Sequence, residues 1–162
     1  MAIKKLILND FLEEENFSLI GIHCTIEDYR LAYMLNKTLE LKLVRQDNDI
    51  DNNNNKTAFS IFEWKDNTQF KTWNLVSNVC RLITNQIDNT IDSLFSFNPT
   101  VTKTHYLVPE FSKANYLLKT NNEFHSKKEK LILEKILKID QVITAYTIPY
   151  NGLKSKDQLI FN

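Results

Sequence analysis

The side chains that could carry chemistry are few and far apart in this chain. His23 and Cys24 are adjacent, while His105 and His125 lie far off, so a metal or thiol site would have to be assembled by folding. Neighbouring residues of a strand point to opposite faces, which works against a shared His23–Cys24 site. A strand-end histidine and a core cysteine are the plainer assignment. Glu110 follows Pro109, whose ring fixes the backbone, between apolar segments that should place it near the core. A buried carboxylate needs partners, and an anchor accepting backbone amides suits Glu110 better than a catalytic acid. His125 and Glu129 are four apart, but His125 falls just outside a helix start, so the spacing is read as chance.

Lys127, Lys128, Lys130, Lys135 and Lys138 form a basic strip, interrupted by Glu129 and Glu134, that reads first as a solvent face. Lys127, Lys128 and Lys135 are its possible RNA contacts, and Trp73, Tyr106, Phe111 and Tyr116 the aromatics that could stack on bases. Core packing is the plainer role for those aromatics. Glu13-Glu14-Glu15 reads as a solvated turn. The chain has only two glycines, Gly21 and Gly152, which excludes the P-loop, the dinucleotide fingerprint, the kinase loop and the G-x-S-x-G elbow. With 20 Lys+Arg against 20 Asp+Glu, no net field draws it to phosphate backbones or an anionic membrane. Cys24 and Cys80 are in no zinc-type spacing and are expected as buried thiols. No catalytic residue, metal site or cofactor is assigned.

The elements that must position these residues follow from periodicity. At 162 residues the chain is expected to be a single domain, with an aromatic-rich core. Phe17 to Cys24 is apolar on both faces, the mark of an interior strand. Thr25 and Asp28 have N-cap and N3 spacing for a helix carrying Tyr29, Leu31, Ala32, Tyr33, Leu35 and Leu39. Leu39, Leu41 and Leu43 then alternate as a strand. Residues 47–56, with Asn52 to Asn55, have little to bury and are expected as a mobile Asn-rich loop. Ala58 to Trp64 and Gln69 to Val76 flank the turn Lys65 to Thr68 as a hairpin. Residues 79–104 are an insertion of uncertain form, with Leu82, Ile83, Ile87, Ile91, Leu94, Phe95 and Phe97 at weak helical spacing.

His105 to Val108 and Tyr116 to Lys119 are extended pieces. Ser126 and Glu129 form a capping box ahead of Leu131, Ile132, Leu133, Ile136, Leu137 and Ile139, a second helix. Val142, Thr144, Tyr146 and Ile148 alternate as a last strand, and the tail Leu159-Ile160-Phe161 is apolar enough to dock. This order predicts an α+β fold: one mostly antiparallel sheet with both amphipathic helices on one face, built of strand–helix–strand units as in ferredoxin-like folds with extra strands.

The segment Val108-Pro109-Glu110-Phe111-Ser112-Lys113-Ala114-Asn115-Tyr116 resembles the signature of the IPExxxVDY family of small bacterial proteins. Pro109, Glu110 and Tyr116 match outright; Val108, Ala114 and Asn115 stand where the family has Ile, Val and Asp. Leu19-Ile20-Gly21-Ile22, Asp28-Tyr29-Arg30-Leu31, Leu75 to Asn78 and the tail from Leu153 to Phe161 are also similar. The resemblance implies no activity, cofactor or catalytic residue, but such genes often lie beside those for ribonuclease III and pyruvate kinase, a hint of RNA metabolism.

Without a catalytic constellation, the expectation is a non-enzymatic protein-interaction module with a protein partner, a homodimer being one form. The alternatives are an RNA- or ribonucleoprotein-associated factor, and a small-molecule binder or enzyme using Glu110 with Tyr116 and His105. No stretch approaches a membrane span or a signal h-region, so a cytoplasmic location and no membrane association are expected.

Overall fold

The computed structural model of the chain describes residues 16–52, 56–85 and 100–161. Along them run β1 (Ser18–Cys24), α1 (Asp28–Leu39), β2 (Val44–Arg45), β3 (Ile50–Asn52), β4 (Thr57–Phe59), β5 (Ile61–Asp66) and β6 (Lys71–Ser77). Then follow β7 (Val79–Asn85), β8 (Thr100–Tyr106), β9 (Tyr116–Thr120), α2 (Ser126–Leu137) and β10 (Val142–Ile148). Six strands form one sheet in the order β10-β1-β9-β6-β5-β2, with every adjacent pair antiparallel. β3 with β4, and β7 with β8, make two further two-stranded pairs. The fold is therefore α+β with a mostly antiparallel sheet. β9, α2 and β10 form a strand–helix–strand unit whose two parallel strands are split by β1.

Two apolar layers sandwich the sheet. On one face Ile20, Ile22 and Cys24 of β1, Leu75 and Leu118 pack under Leu31 and Leu35 of α1 and Ile132 and Ile136 of α2. Both helices thus cover one face, as expected. On the other face Leu19, Ile61, Val76 and Leu117 pack under Phe59, Val108, Leu153 and Leu159. This second cover is a patchwork of short segments, including the 3-10 turns Pro109–Phe111 and Lys156–Leu159. β1 is apolar on both faces because both layers meet on it.

Several elements depart from expectation for local reasons. α1 opens at Asp28 with Glu27 as its cap residue and no side-chain cap, not at Thr25. The Tyr116 hydroxyl donates to the Ile26 carbonyl at 2.7 Å, tying the approach to the helix to β9. α2 opens one residue earlier than its capping box implies: His125, not Ser126, is the cap residue, and Glu129 accepts the Thr147 hydroxyl at 2.5 Å instead. Leu41 and Leu43 are buried, but Asn36 takes both the amide and the carbonyl of Leu43, so the strand shrinks to Val44–Arg45. Glu40 supplies the left-handed turn, at φ 57, that ends α1.

The Asn-rich segment carries β3, with Ile50 paired to Phe59. The described part of 79–104 is the β7–β8 hairpin, without helix. Glu13 to Glu15 and Ile87 to Phe97 lie outside the described residues. Among the described residues, no helix is long and apolar enough to cross a membrane.

Candidate functional site

The signature segment sits where β6, β8 and the end of β1 meet, and Asn78 organises it. This asparagine is wholly buried; its Nδ2 donates to the carbonyls of Phe111 at 3.0 Å and Ala114 at 2.9 Å, while its Oδ1 accepts the Val108 amide at 2.7 Å. Its own amide donates to the Asn115 carbonyl and its carbonyl accepts the Leu107 amide, so one residue pins residues 107–115. A loop buried between strands has main-chain groups that no ladder satisfies, and the carboxamide supplies both the donors and the acceptor they lack.

Each signature residue then has a defined place. Pro109 opens the 3-10 turn. Glu110 lies on the surface, not near the core, because that turn aims it outward; its Oε1 accepts the Lys154 amide at 3.0 Å and the Ser155 hydroxyl at 3.3 Å. It holds the start of the C-terminal tail. Asn115 Oδ1 accepts the Cys24 amide at 3.1 Å and lies 2.6 Å from His23 Nδ1. An oxygen already fixed as acceptor by an amide requires Nδ1 to carry its proton, leaving Nε2 as the acceptor of the neutral ring. Tyr116 is buried and bonded to Ile26.

Cys24, Thr25, Ser77, Arg81, Asn115 and Tyr116 line a cleft of about 470 Å³. Burial pushes the Cys24 thiol up, only partly offset by the Ile26 main chain, and burial with nearby Cys24, Asp28 and Glu27 pushes the Tyr116 phenol well up. Both are held protonated, which makes Cys24 a poor nucleophile. Cys80, expected to be buried, is half-buried. Glu110, Tyr116 and His105 do not share a pocket: Glu110 faces the tail, Tyr116 faces Ile26, and His105 pairs with Cys80 in the β7–β8 hairpin. Among the described residues, no group of three or more His, Cys, Asp or Glu could hold a metal ion.

The basic strip is divided. Lys128 and Lys135 line a cleft of about 240 Å³ with Trp64, Trp73 and Leu131, whereas Lys127 is exposed and outside that lining. The Lys128 ammonium lies 5.5 Å from the centre of the Phe124 ring, and the Lys71 ammonium beside it, with some burial, holds it below the usual lysine range. Lys71, from another element, is the residue sequence reading missed here. The proposed stacking aromatics are dispersed: Trp73 packs on Phe124 on the helical face, and Phe111 on Tyr146 on the opposite face. The chain matches no family model, no curated protein and no solved structure.

Proposed function

We propose that the chain is a non-catalytic protein-interaction module whose contact surface is the open edge of β10 together with α2 above it. One observation carries this reading. β10 runs for seven residues, pairs with β1 along one side and, among the described residues, with no strand along the other. It has no charged residue and no proline inside it, and Ile143 beside its bulge is 61% exposed. Soluble proteins guard such edges with lysine, proline or a covering segment, so an uncharged open edge suits strand addition by a partner. A second copy is the simplest partner, since two antiparallel β10 strands related by a two-fold axis close the assembly. Leu137, exposed on the helix above, would extend the contact.

The polar groups of the signature segment are engaged in main-chain bonds, which supports a structural role for them. The likeness of that segment to the IPExxxVDY signature, through Pro109, Glu110 and Tyr116, belongs to the same proposal. Light scattering across a concentration series tests it: the expected result is a dimer that Ile143→Lys with Thr144→Lys converts to monomer. A wild-type monomer at every concentration that also captures no protein partner overturns it.

Association with RNA is a second reading, favoured by the adjacent Lys71 and Lys128 ammoniums and by Phe70, which is 85% exposed on the neighbouring hairpin turn. It predicts a salt-sensitive gel shift with single-stranded RNA that weakens when Lys127, Lys128 and Lys135 are changed together to Ala. Absence of any shift at low salt removes it.

A further inference from the structure

On the face of the sheet away from the helices, the side-chain character changes abruptly across three adjacent strands. Ile61, Val76 and Leu117 are cross-strand neighbours and buried. Two residues along, at the same level on every strand, the next row is Glu63, Asn74 and Lys119. The row beyond is Lys65 and Thr72, continued by Asn121, whose Oδ1 accepts the Thr72 amide at 2.9 Å. An apolar floor would have let this face be covered like its other half. Instead two polar rows form the floor of a cleft of about 770 Å³, walled by residues 46–50 on one side and by Ile160 and Phe161 on the other.

The floor is built of side chains bonded to one another. Asn74 is only 5% exposed, and its Nδ2 lies 3.3 Å from Glu63 Oε2; Glu63 Oε1 is 3.2 Å from the Lys65 ammonium. Lys119, 8% exposed, donates to the Leu159 carbonyl at 2.6 Å and lies within 5.0 Å of the centres of the Phe17 and Phe161 rings. That ammonium therefore fixes the aromatic wall in place. The volume lies within the range of small-molecule sites, but the lining is far more polar than the apolar pockets usual for them.

We infer that this cleft binds a small, uncharged, polyhydroxylated molecule of the saccharide type. Planar carboxylate and carboxamide groups, at Asp47, Asn48, Glu63, Asn74 and Asn121, offer paired acceptors and donors that match adjacent hydroxyls. Asp47, Asp49 and Glu63 oppose an anion, while Lys65 and Lys119 oppose a cation, and Asp49 is already paired with Arg45. With Glu63 paired to Lys65 as well, most of the charge is balanced within the lining, which favours a neutral ligand. Phe161 offers an aromatic surface for the C–H face of a sugar ring.

Two-dimensional amide NMR of the full chain tests the inference with three probes: neutral disaccharides, glucose 6-phosphate and spermidine. The expected result is saturable shifts from a neutral disaccharide, centred on Glu63, Asn74, Lys119 and Asn121, with Asp47→Ala plus Asn48→Ala weakening binding roughly tenfold. Both positions lie in the bend between β2 and β3, outside the strands, and the variant's own amide spectrum checks that the fold is kept. Response to the phosphate or to spermidine alone, or to no probe, overturns it. None of these outcomes bears on pairing at β10, so the two ideas fail separately.

Discussion

Replacing Asn78 with Ala should be the most damaging single change in the signature region. The side chain satisfies three main-chain groups: the Val108 amide and the carbonyls of Phe111 and Ala114. Phe111 keeps a second partner, because its carbonyl also accepts the Ala114 amide at 3.0 Å. Val108 N–H and the Ala114 carbonyl therefore lose most, and an unsatisfied buried group costs about 1–3 kcal/mol, so Asn78→Ala should lose about 2–6 kcal/mol in total. Against a domain stability of about 5–15 kcal/mol this is a large fraction. Urea unfolding followed by circular dichroism measures it, with the midpoint expected to fall at an unchanged slope.

Asn78→Asp sharpens the test. It replaces the Nδ2 donor with an oxygen facing two carbonyl oxygens, and only the protonated acid can donate to one of them. The folded state then binds the proton more tightly than the unfolded chain, whose Asp titrates near about 3.9. A raised folded-state pKa means stability present at low pH and lost as pH rises through the window above that value. A loss below about 1 kcal/mol in Asn78→Ala, or an Asp variant that is more stable at higher pH, would refute the role given to the Asn78 side chain.

Glu110→Ala frees the start of the tail, so trypsin should cut after Lys154 faster than in the wild type, and an unchanged cleavage rate contradicts the anchor role. Tyr116→Phe removes the bond to Ile26 and should cost about 1 kcal/mol in urea unfolding. Because burial raises the Tyr116 phenol, its folded state stays protonated while the unfolded chain ionises near about pH 10; stability should therefore fall above that pH, less steeply in Tyr116→Phe. Equal alkaline slopes in the two proteins would show that another group is responsible. Gly21→Ala would bring its Cβ to 3.0 Å from Ile148 Cδ1 and 3.1 Å from the Tyr146 ring, so overpacking should lower stability by about 1–3 kcal/mol. A melting temperature equal to the wild type would mean that β10 yields more easily than its packing implies.

What the sequence discloses depends on how local the cause is. β1, α2 and β10 were legible because an interior strand, an amphipathic helix and an alternating strand each leave their own period in the chain. Leu41 and Leu43 have the period of a strand, yet the Asn36 side chain takes both main-chain groups of Leu43 and its main-chain carbonyl takes the Leu41 amide, a competition no period reveals. β3 hides in the Asn-rich segment because Ile50 is its one apolar side chain. In the site, the signature residues are legible and Asn78 ends the similar stretch Leu75 to Asn78, but that it holds them is not. A single buried Asn78 interrupts no pattern, and its role follows only from the loop wrapped round it. The row Glu63, Asn74 and Lys119 is drawn from three separate segments and exists only once register aligns them.

The position of β1 has a consequence for how the chain is made. Its two neighbours are β9 and β10, so β1, apolar on both faces and ending at Cys24, waits for partners that begin only at Tyr116 and Val142. During synthesis at about 5–20 residues per second, β1 stays unpaired for several seconds at least. Loop closure over such separations slows folding and leaves an aggregation-prone strand exposed meanwhile. Stop codons anywhere before β9 would leave β1 without either neighbour, so truncated products should be captured by chaperones or degraded rather than accumulate as a smaller folded unit.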